Sequence, residues 1–421
     1  MRVIGMISGT SFDAVEAVLA DFVPSGDVLG CDLVAHRSVP YPDDLRERIA
    51  GILPPAPTTI GEVCELDVAI GQFFAEVAHD LAAEVGGEPV EVVCSHGQTV
   101  FHWVSGDRAL GTLQLGQPAW IAERTGATVV SDVRSRDIAA GGHGAPLASV
   151  IDVLLLAPPP GTVRGALNLG GISNVTVLAE GREPVAFDIG PANALMDATV
   201  TWASGGKERF DESGRRAARG RVDDILLAAL LEEPYYSLPV PKSTGKELFN
   251  LDYVLVALGG RELRGREPGG RELGGREPGD REPGDREIDP DDLVATLGAL
   301  TVETVARALE DFGVTEVVPA GGGTRNPVLM SGLQARLPGV FFRPLAEFGV
   351  PEAAKEALAF ALIGYLTSSG IRASVPSCTG ARHASILGSI TPGVRPLHPG
   401  LAAEAPTRLV VQTAGSFGDK A

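Results

Sequence analysis

Two stretches of the sequence combine glycine with hydroxyl and carboxylate side chains in a pattern suited to holding phosphate. Near the amino terminus an apolar run leads into Gly9-Thr10-Ser11-Phe12-Asp13, and a second apolar run begins at Val15. Residues 166–178 repeat this arrangement around Gly170-Gly171. Glycine permits a sharp turn and leaves backbone N–H groups uncovered for a phosphate oxygen. The hydroxyls and Asp13 add hydrogen-bond partners and a candidate cation ligand, so we predict two strand–turn–strand phosphate loops.

A third glycine cluster, Gly321-Gly322-Gly323, follows the strand-like residues 314–319 and precedes a helical stretch. Its spacing differs from the dinucleotide-binding fingerprint, and the sequence contains no GxxxxGK[ST] motif. Three loops of this kind on one chain predict a nucleotide held between two similar halves.

One carboxylate lies at the predicted end of a strand, where a catalytic group is expected. Asp188 ends a predicted strand, and Gly190-Pro191 then begins a helix. Open α/β sheets place reacting groups at the carboxyl ends of their strands. A carboxylate there can take a proton from water or from a hydroxyl. An aspartate that caps the helix or the turn is the alternative interpretation of this motif.

Two further polar clusters follow predicted strands. His96-Gly97-Gln98-Thr99 offers neutral groups suited to sugar hydroxyls, although a single histidine is more often structural than catalytic. Residues 132–137 carry Arg134 and Arg136, and arginine suits bidentate binding of a carboxylate or phosphate. Pairing with the aspartates of the same segment is the alternative. The glycine-rich residues 141–147 are interpreted as a turn cluster or a hinge between domains.

The composition limits the classes of protein to which this chain can belong. With 421 residues, 44% apolar and 21% charged, the chain predicts two or three soluble domains. A net charge of −19 argues against binding nucleic acid or an anionic membrane surface. The four cysteines form no CxxC pair and predict reduced thiols, and the seven scattered histidines indicate no metal cluster. We find no signal peptide or membrane-length apolar run, and therefore expect a cytoplasmic protein.

Helical and strand periodicities alternate along the chain and predict an α/β fold with a mixed sheet. Residues 42–85 show helical spacing of apolar side chains, and further helices are predicted at 119–125, 192–204, 222–231, 293–312, 327–337 and 353–366. We predict an amino-terminal α/β domain of residues 1–140 joined by 371–392, a second α/β domain of 141–370, and a loose tail of 393–421.

The segment 259–288 differs from the rest of the chain. The pair Arg-Glu recurs six times at a period of five residues, from Arg261 to Glu287. Five is neither a helical nor a strand period, and little in the segment can be buried. We predict a disordered, charge-balanced loop inserted in the second domain. An interaction arm is the alternative.

Taken together, these segments resemble the anhydro-N-acetylmuramic acid kinase family. The family's amino-terminal signature, approximately GLMSGTSLDGVD, is similar to Gly5–Glu16, and its SHGQTV motif is similar to Ser95–Val100. Its other motifs correspond to Thr112–Gly126, Asp132–Leu147, Asn168–Asn174 (NLGGISN in full), Phe187–Asn193, Pro241–Asn250, Gly321–Asn326 and Glu356-Ala357. The resemblance spans residues 1 to about 390 and is interrupted only by the Arg-Glu insert.

The resemblance implies the two-domain actin-like, ribonuclease H-like ATPase fold of hexokinase, actin and the heat-shock chaperones, with nucleotide and sugar bound between the domains. The implied reaction uses ATP and Mg²⁺. Water opens the anhydro ring of 1,6-anhydro-N-acetylmuramic acid at C1 while O6 is phosphorylated. The products are N-acetylmuramic acid 6-phosphate and ADP, in the recycling of cell-wall peptidoglycan. A homodimer is implied as well.

The resemblance also implies roles for individual residues. Asp188 is the expected general base, and Asp13 is the expected Mg²⁺ ligand. Substrate is expected at Gln98, Thr99, Arg134 and Glu356, with Arg134 pairing with the lactyl carboxylate of muramic acid. The expected nucleotide-binding residues are Gly9, Thr10, Ser11, Phe12, Asp13, Ala14, Val15, Glu16, Gly170, Gly171, Gly321, Gly322 and Gly323.

The sequence departs from the family pattern at five positions, which are Ala14, Glu16, His143, Ile189 and Ala192. The family has Gly, Asp, Gln, Thr and Gly there, respectively. The departures leave Asp13 and Asp188 in place and bear on rate and exact substrate. The departures at Ala14, Ile189 and Ala192 motivate one alternative hypothesis, a non-catalytic nucleotide-dependent regulatory protein. A conventional sugar kinase acting on a free hydroxyl is a further alternative.

Overall fold

The computed structural model describes residues 1–9, 12–54, 56–105, 108–245, 248–263, 287–394 and 404–413. They form two compact units. One comprises Met1–Gly161, Leu178–Ala186 and Pro344–Ala421, and the other comprises Thr162–Val177 and Phe187–Arg343. Each unit contains a β-sheet with packed helices, so the predicted α/β fold class is confirmed.

The described elements alternate between strand and helix. The strands are β1 (Arg2–Ser8), β2 (Ala14–Ser25), β3 (Val28–Pro40), β4 (Val92–Ser105), β5 (Arg108–Leu115), β6 (Thr128–Ser131), β7 (Val163–Leu169), β8 (Ile172–Ala179), β9 (Val185–Pro191), β10 (Glu262–Leu263), β11 (Glu287–Ile288), β12 (Glu316–Ala320), β13 (Phe341–Phe342), β14 (Ser389–Thr391) and β15 (Arg408–Thr413). The helices are α1 (Asp43–Ile52), α2 (Ile60–Val85), α3 (Pro118–Thr125), α4 (Ser135–Ala139), α5 (Ser149–Leu155), α6 (Asn193–Ala203), α7 (Arg215–Arg219), α8 (Asp224–Leu230), α9 (Leu251–Leu258), α10 (Pro290–Asp311), α11 (Pro327–Arg336), α12 (Lys355–Ser368) and α13 (Pro376–Thr379). None of these helices combines the length and hydropathy needed to cross a bilayer.

An eight-stranded mixed sheet organises the first unit. Its order is β14-β6-β4-β1-β2-β3-β15, and β5 pairs with β4. Strands β1, β2 and β3 form antiparallel pairs, whereas β1, β4 and β6 run parallel. Parallel strands point their carboxyl ends the same way. The sheet therefore brings the ends of β1 and β6 to one edge, beside the middle of the longer β4.

Successive side chains of a strand point to opposite faces of the sheet, and helices pack on both faces of this one. Ile4 and Met6 of β1 share a core with Leu66 and Ile70 of α2, which confirms the predicted helical spacing. The opposite face of β1 meets α12. A Cβ on Gly5 would lie 2.1 Å from the backbone oxygen of Ala357, so only glycine permits this approach.

The second unit is built on a five-stranded sheet with the order β13-β12-β7-β8-β9. Helix α10 packs beside α6 and α11, and its buried face includes Leu293, Leu297 and Leu300. Asn326 caps α11 by accepting hydrogen bonds from the N–H groups of Val328 and Leu329. This cap fixes where the chain turns from the third glycine cluster into a helix.

Several sequence predictions differ from the structure. Strand β4 continues through residues 96–99, which the sequence predicts to follow a strand, because β4 goes on pairing with β5. Residues 141–161 and helix α12 belong to the first unit, although we predicted them in the second domain. The predicted loose tail contains β15, which pairs in parallel with β3.

The Arg-Glu insert has an ordered base. Strands β10 and β11 pair in parallel, with Glu262 opposite Glu287. Just before β10, Arg261 forms an ion pair with Asp223 at 2.5 Å. Residues 264–286, which carry most of the predicted disordered loop, lie outside the described residues.

Replacing residues 264–286 with a Gly/Ser linker of about ten residues is expected to leave thermal stability and activity essentially unchanged. The β10–β11 pair and the Arg261–Asp223 ion pair are kept. Shortening the connection changes its closure entropy by less than about 1 kcal/mol. As a matched control, a deletion of 261–288 also removes the base and the buried Ile288, and we expect it to lower the melting temperature. Strong destabilisation by the shorter deletion would assign a structural role to the insert.

Candidate active site

The amino-terminal loop connects β1 to β2, whose register pairs Ser8 with Val15. The Phe12 N–H donates to the Gly9 carbonyl at 3.1 Å, and Phe12 adopts a φ of 43°. A Cβ on Gly9 would meet no atom within 4 Å, so this glycine presents bare backbone to solvent. Thr10 and Ser11, predicted here as phosphate ligands, lie outside the described residues.

Asp13 ends this loop with a carboxylate that is 66% exposed and lies 2.8 Å from Nη2 of Arg46. The Arg46 guanidinium also stacks over the Phe12 ring, 5.9 Å from its centroid. Within the described ranges there is no group of three or more His, Cys, Asp or Glu side chains able to hold a metal ion. Mg²⁺ usually keeps several waters and takes one or two carboxylates, and an exposed Asp13 fits that limited role.

The three residues after Asp13 differ in what they offer a ligand. Ala14 is half-buried, and Val15 points into the hydrophobic core. Val15 can therefore meet a nucleotide only through its backbone. The Glu16 carboxylate accepts a 2.5 Å hydrogen bond from Ser38 and lies 2.7 Å from His36 Nε2.

Gln98 lies at the centre of β4 and forms hydrogen bonds with Ser8 and Gly9, where the amino-terminal loop begins. It is 0% exposed, and its Oε1 accepts a 2.5 Å hydrogen bond from the Ser8 hydroxyl. Its Nε2 donates to the carbonyls of Gly9 and Thr99. Because the amide is used inside the protein, Gln98 positions the amino-terminal loop, and the predicted direct contact with substrate does not fit its burial. The neighbouring Thr99 is half-buried and its hydroxyl accepts from Gln114 at 3.1 Å.

Arg134 follows β6 and lies directly before α4, beside the middle of β4. Its Nε donates to Nε2 of His96 at 2.8 Å. His96 is buried, and burial followed by the Arg134 charge lowers the pKa of its imidazole to about 3. The structure thus joins a histidine and an arginine that the sequence suggested separately.

Glu356 lies in the first turn of α12 and completes this group in the first unit. Its side chain is exposed to water, yet desolvation by the surrounding protein raises the pKa of its carboxyl, while Lys355 and Arg134 oppose the shift. The neighbouring Lys355 forms a buried ion pair with Asp152 of α5 at 2.5 Å. This pair anchors the start of the helix that carries Glu356.

In the second unit, Asp188 lies within β9, which continues to Pro191 beyond the predicted end of the strand. Its Oδ2 accepts a hydrogen bond from the Thr244 N–H at 3.0 Å. Its own backbone N–H donates to the Lys242 carbonyl, and its carbonyl accepts from the Tyr235 hydroxyl at 2.8 Å. Asp188 is half-buried and held on both its backbone and its side chain.

Lys242 supports this arrangement and was missed as a site residue. Its Nζ donates to the carbonyls of Tyr235 and Tyr236 at 3.0 and 2.9 Å and lies 4.7 Å from the centroid of the Tyr235 ring. Burial lowers the pKa of this amine. The only sequence signal was the family motif spanning residues 241–250, which gave no role to its members.

The two remaining glycine clusters pack against each other. A Cβ on Gly321 would lie 2.4 Å from Oδ1 of Asn168, and one on Gly323 would lie 2.7 Å from Cβ of Leu169. Asn193 holds the turn at Gly170 as well, because its Nδ2 donates to the Gly170 carbonyl at 2.8 Å. Glycine at 321 and 323 therefore lets the third glycine cluster pack directly against the end of β7, just before the turn at Gly170.

Known proteins match this chain over nearly its whole length. A family model described as anhydro-N-acetylmuramic acid kinase matches residues 1–393. A protein of that description from Streptomyces coelicolor is 53% identical over 412 residues, covering 98% of this chain and 99% of its own. Relatives of the same description from Rhodococcus erythropolis and Caldanaerobacter subterraneus are 50% and 35% identical. They cover 94% and 92% of this chain, and 96% of each of their own chains.

Proposed function

The chain belongs to the anhydro-N-acetylmuramic acid kinase family, and we propose that it phosphorylates 1,6-anhydro-N-acetylmuramic acid with ATP while opening the anhydro ring. The products are N-acetylmuramic acid 6-phosphate and ADP. The observation that carries the proposal is the family match over residues 1–393, with relatives at 50% and 53% identity across nearly the whole of both chains. The proposed setting is cytoplasmic recycling of peptidoglycan by a homodimer.

Asp188 is the proposed general base. Its carboxylate removes a proton from the water that attacks C1, and the C1–O6 bond breaks. O6 takes the electron pair of that bond and attacks the γ-phosphorus, and ADP leaves. The hydrogen bond from the Thr244 N–H supports this role because it orients the carboxylate. Lys242 and Tyr235 support it by fixing the backbone of the same strand.

The glycine loops are proposed to hold the nucleotide. The residues are Gly9, Thr10, Ser11, Phe12 and Asp13 of the amino-terminal loop, with the adjoining backbone of 14–16, and Gly170, Gly171, Gly321, Gly322 and Gly323 of the second unit. The close packing at Gly321 and Gly323 supports this assignment because it brings the backbones of the two turns together, and clustered backbone N–H groups can bind an anion. Asp13 would hold Mg²⁺ through its waters. When bound, that ion neutralises charge on the transferring phosphoryl group.

Sugar binding is proposed for Thr99, Arg134 and Glu356. Arg134 suits the lactyl carboxylate because a guanidinium binds a carboxylate with two parallel N–H donors. Glu356 and Thr99 offer acceptors to sugar hydroxyls. Gln98, which we expected to touch the sugar, instead positions the amino-terminal loop.

The reaction is tested by mass spectrometry after incubation with 1,6-anhydro-N-acetylmuramic acid, ATP, Mg²⁺ and ¹⁸O-water. We expect the sugar 6-phosphate with ¹⁸O at C1. Unlabelled product kept in ¹⁸O-water under the same conditions is the control for exchange at the anomeric carbon. A phosphorylated sugar with its anhydro ring intact would indicate a conventional kinase. Absence of sugar-dependent ADP from protein that binds ATP would indicate a regulatory protein.

A further inference from the structure

We propose that His96 is a positioning residue that orients the Arg134 guanidinium and thereby sets the preference of the site for a carboxylate-bearing sugar. The inference rests on the proposed function, in which Arg134 receives the lactyl carboxylate. It adds a residue that does not itself touch substrate. His96 acts through Arg134, and its effect is on specificity.

The two contacts of the imidazole select one protonation state. Nε2 of His96 lies 2.8 Å from Nε of Arg134, and Nδ1 lies 2.9 Å from the Gly97 carbonyl. An arginine Nε always carries hydrogen and can only donate, so Nε2 must accept. A carbonyl can only accept, so Nδ1 must carry the hydrogen. Both contacts therefore require the same neutral tautomer, with the proton on Nδ1.

The surroundings of His96 keep it in that state. It is 2% exposed, and its ring lies 4.8 Å from the ring of Phe360. The positive charge facing it is Arg134, which together with burial disfavours the imidazolium. A proton on Nε2 would set two N–H groups against each other and release the arginine. The contact therefore persists across the pH range in which enzymes of this kind work.

This contact restrains the plane of the guanidinium fork, while the backbone of Arg134 is held separately. Arg134 directly precedes α4, and Asp137 of that helix is buried and accepts hydrogen bonds from Thr379 and Gly144 at 2.8 and 2.9 Å. A planar donor pair binds a carboxylate well only when its plane is aligned with the two oxygens. Fixing both ends of Arg134 before substrate arrives lowers the entropy lost on binding.

The test compares two sugars. One is 1,6-anhydro-N-acetylmuramic acid, and the other is 1,6-anhydro-N-acetylglucosamine, which lacks the lactyl carboxylate. Dissociation constants are measured by calorimetry with a non-hydrolysable ATP analogue present. We expect His96→Leu to weaken binding of the first sugar by about 10- to 100-fold and binding of the second by less than about twofold. The KM for the first sugar should rise with little change in kcat.

Two matched variants separate orientation from folding. His96→Gln keeps an acceptor near the position of Nε2 and is expected to recover most of the discrimination. His102→Gln replaces a second histidine near Arg134 that instead contacts the Thr112 hydroxyl, and should leave the ratio of the two dissociation constants unchanged. Equal weakening of both sugars by His96→Leu would show a structural role only and overturn the proposal.

A spectroscopic measurement on the unmodified protein needs no variant to fold. With ¹⁵N-labelled histidine, His96 should show a single neutral tautomer protonated at Nδ1, unchanged down to pH 5. Titration near the ordinary histidine pKa, or a proton on Nε2, would overturn the proposal. If the wild-type protein forms no labelled 6-phosphate, the proposed reaction fails. If it forms that product and the ratio of the two dissociation constants is unchanged by His96→Leu, only the present inference fails.

Discussion

Asp188→Asn is expected to lower kcat by about 10²- to 10⁴-fold, the usual contribution of a positioned general base. The amide is nearly isosteric with the carboxylate, and its oxygen can still accept from the Thr244 N–H. Stability and ATP affinity should therefore stay close to those of the wild-type protein. The measurement is sugar-dependent ADP release, with nucleotide binding followed separately by calorimetry.

The matched control for this variant is Asp224→Asn, which neutralises an exposed carboxylate in the first turn of α8. We expect its turnover to remain within about twofold of wild type, as for most surface substitutions. Near-normal turnover of Asp188→Asn would assign the proton transfer to another group. Loss of ATP binding together with turnover would instead make Asp188 a residue of the nucleotide site.

Gly321→Ala is the second substitution for which a large effect is expected. Gly321 has φ 88° and ψ 171°, a region essentially confined to glycine, and holding an alanine there costs about 1–3 kcal/mol. The new Cβ would also lie 2.4 Å from Oδ1 of Asn168 and 2.9 Å from the Leu169 carbonyl, and such overpacking costs about 1–3 kcal/mol. The melting temperature should fall by at least about 5 °C, and the stabilisation that ATP gives should be reduced.

Two other glycines provide controls for this variant. A Cβ on Gly322 would meet only the Arg325 side chain at 3.6 Å, and one on the exposed Gly339 would meet nothing within 4 Å. Both alanine variants should keep the wild-type melting temperature. Reduced ATP affinity in a stable Gly322→Ala protein would then report phosphate access rather than folding. An unchanged melting temperature in Gly321→Ala would contradict the packing of the two glycine turns.

The glycine turns could be predicted from sequence because their signal is local. A tight turn requires glycine at a few adjacent positions, and those positions are visible in the chain. The partners of the turns were not visible. Gln98 looked like a sugar ligand until its bonds to Ser8 and Gly9, about ninety residues away, showed it to be internal. The same holds for Lys242, whose role depends on backbone carbonyls of Tyr235 and Tyr236.

The division of the chain into units was harder to predict for a related reason. Helix α12 is buried along nearly its whole length, so its sequence shows no amphipathic pattern to indicate a direction of packing. Its place against β1 depends on the close approach at Gly5, more than 350 residues earlier in the chain. Likewise, β15 pairs with β3 across most of the sequence. Such distant pairings leave no periodicity at either end.

The paired base of the Arg-Glu insert makes this position of the second unit suitable for the insertion of another protein domain. The chain leaves at Leu263 and returns at Glu287, next to each other in a two-stranded parallel pair, and neighbouring strands lie about 5 Å apart. A reporter domain whose own termini are close together can be inserted between these points without forcing β10 and β11 apart. The kinase thereby offers an internal attachment point for a fluorescent reporter, with both of its termini left unmodified.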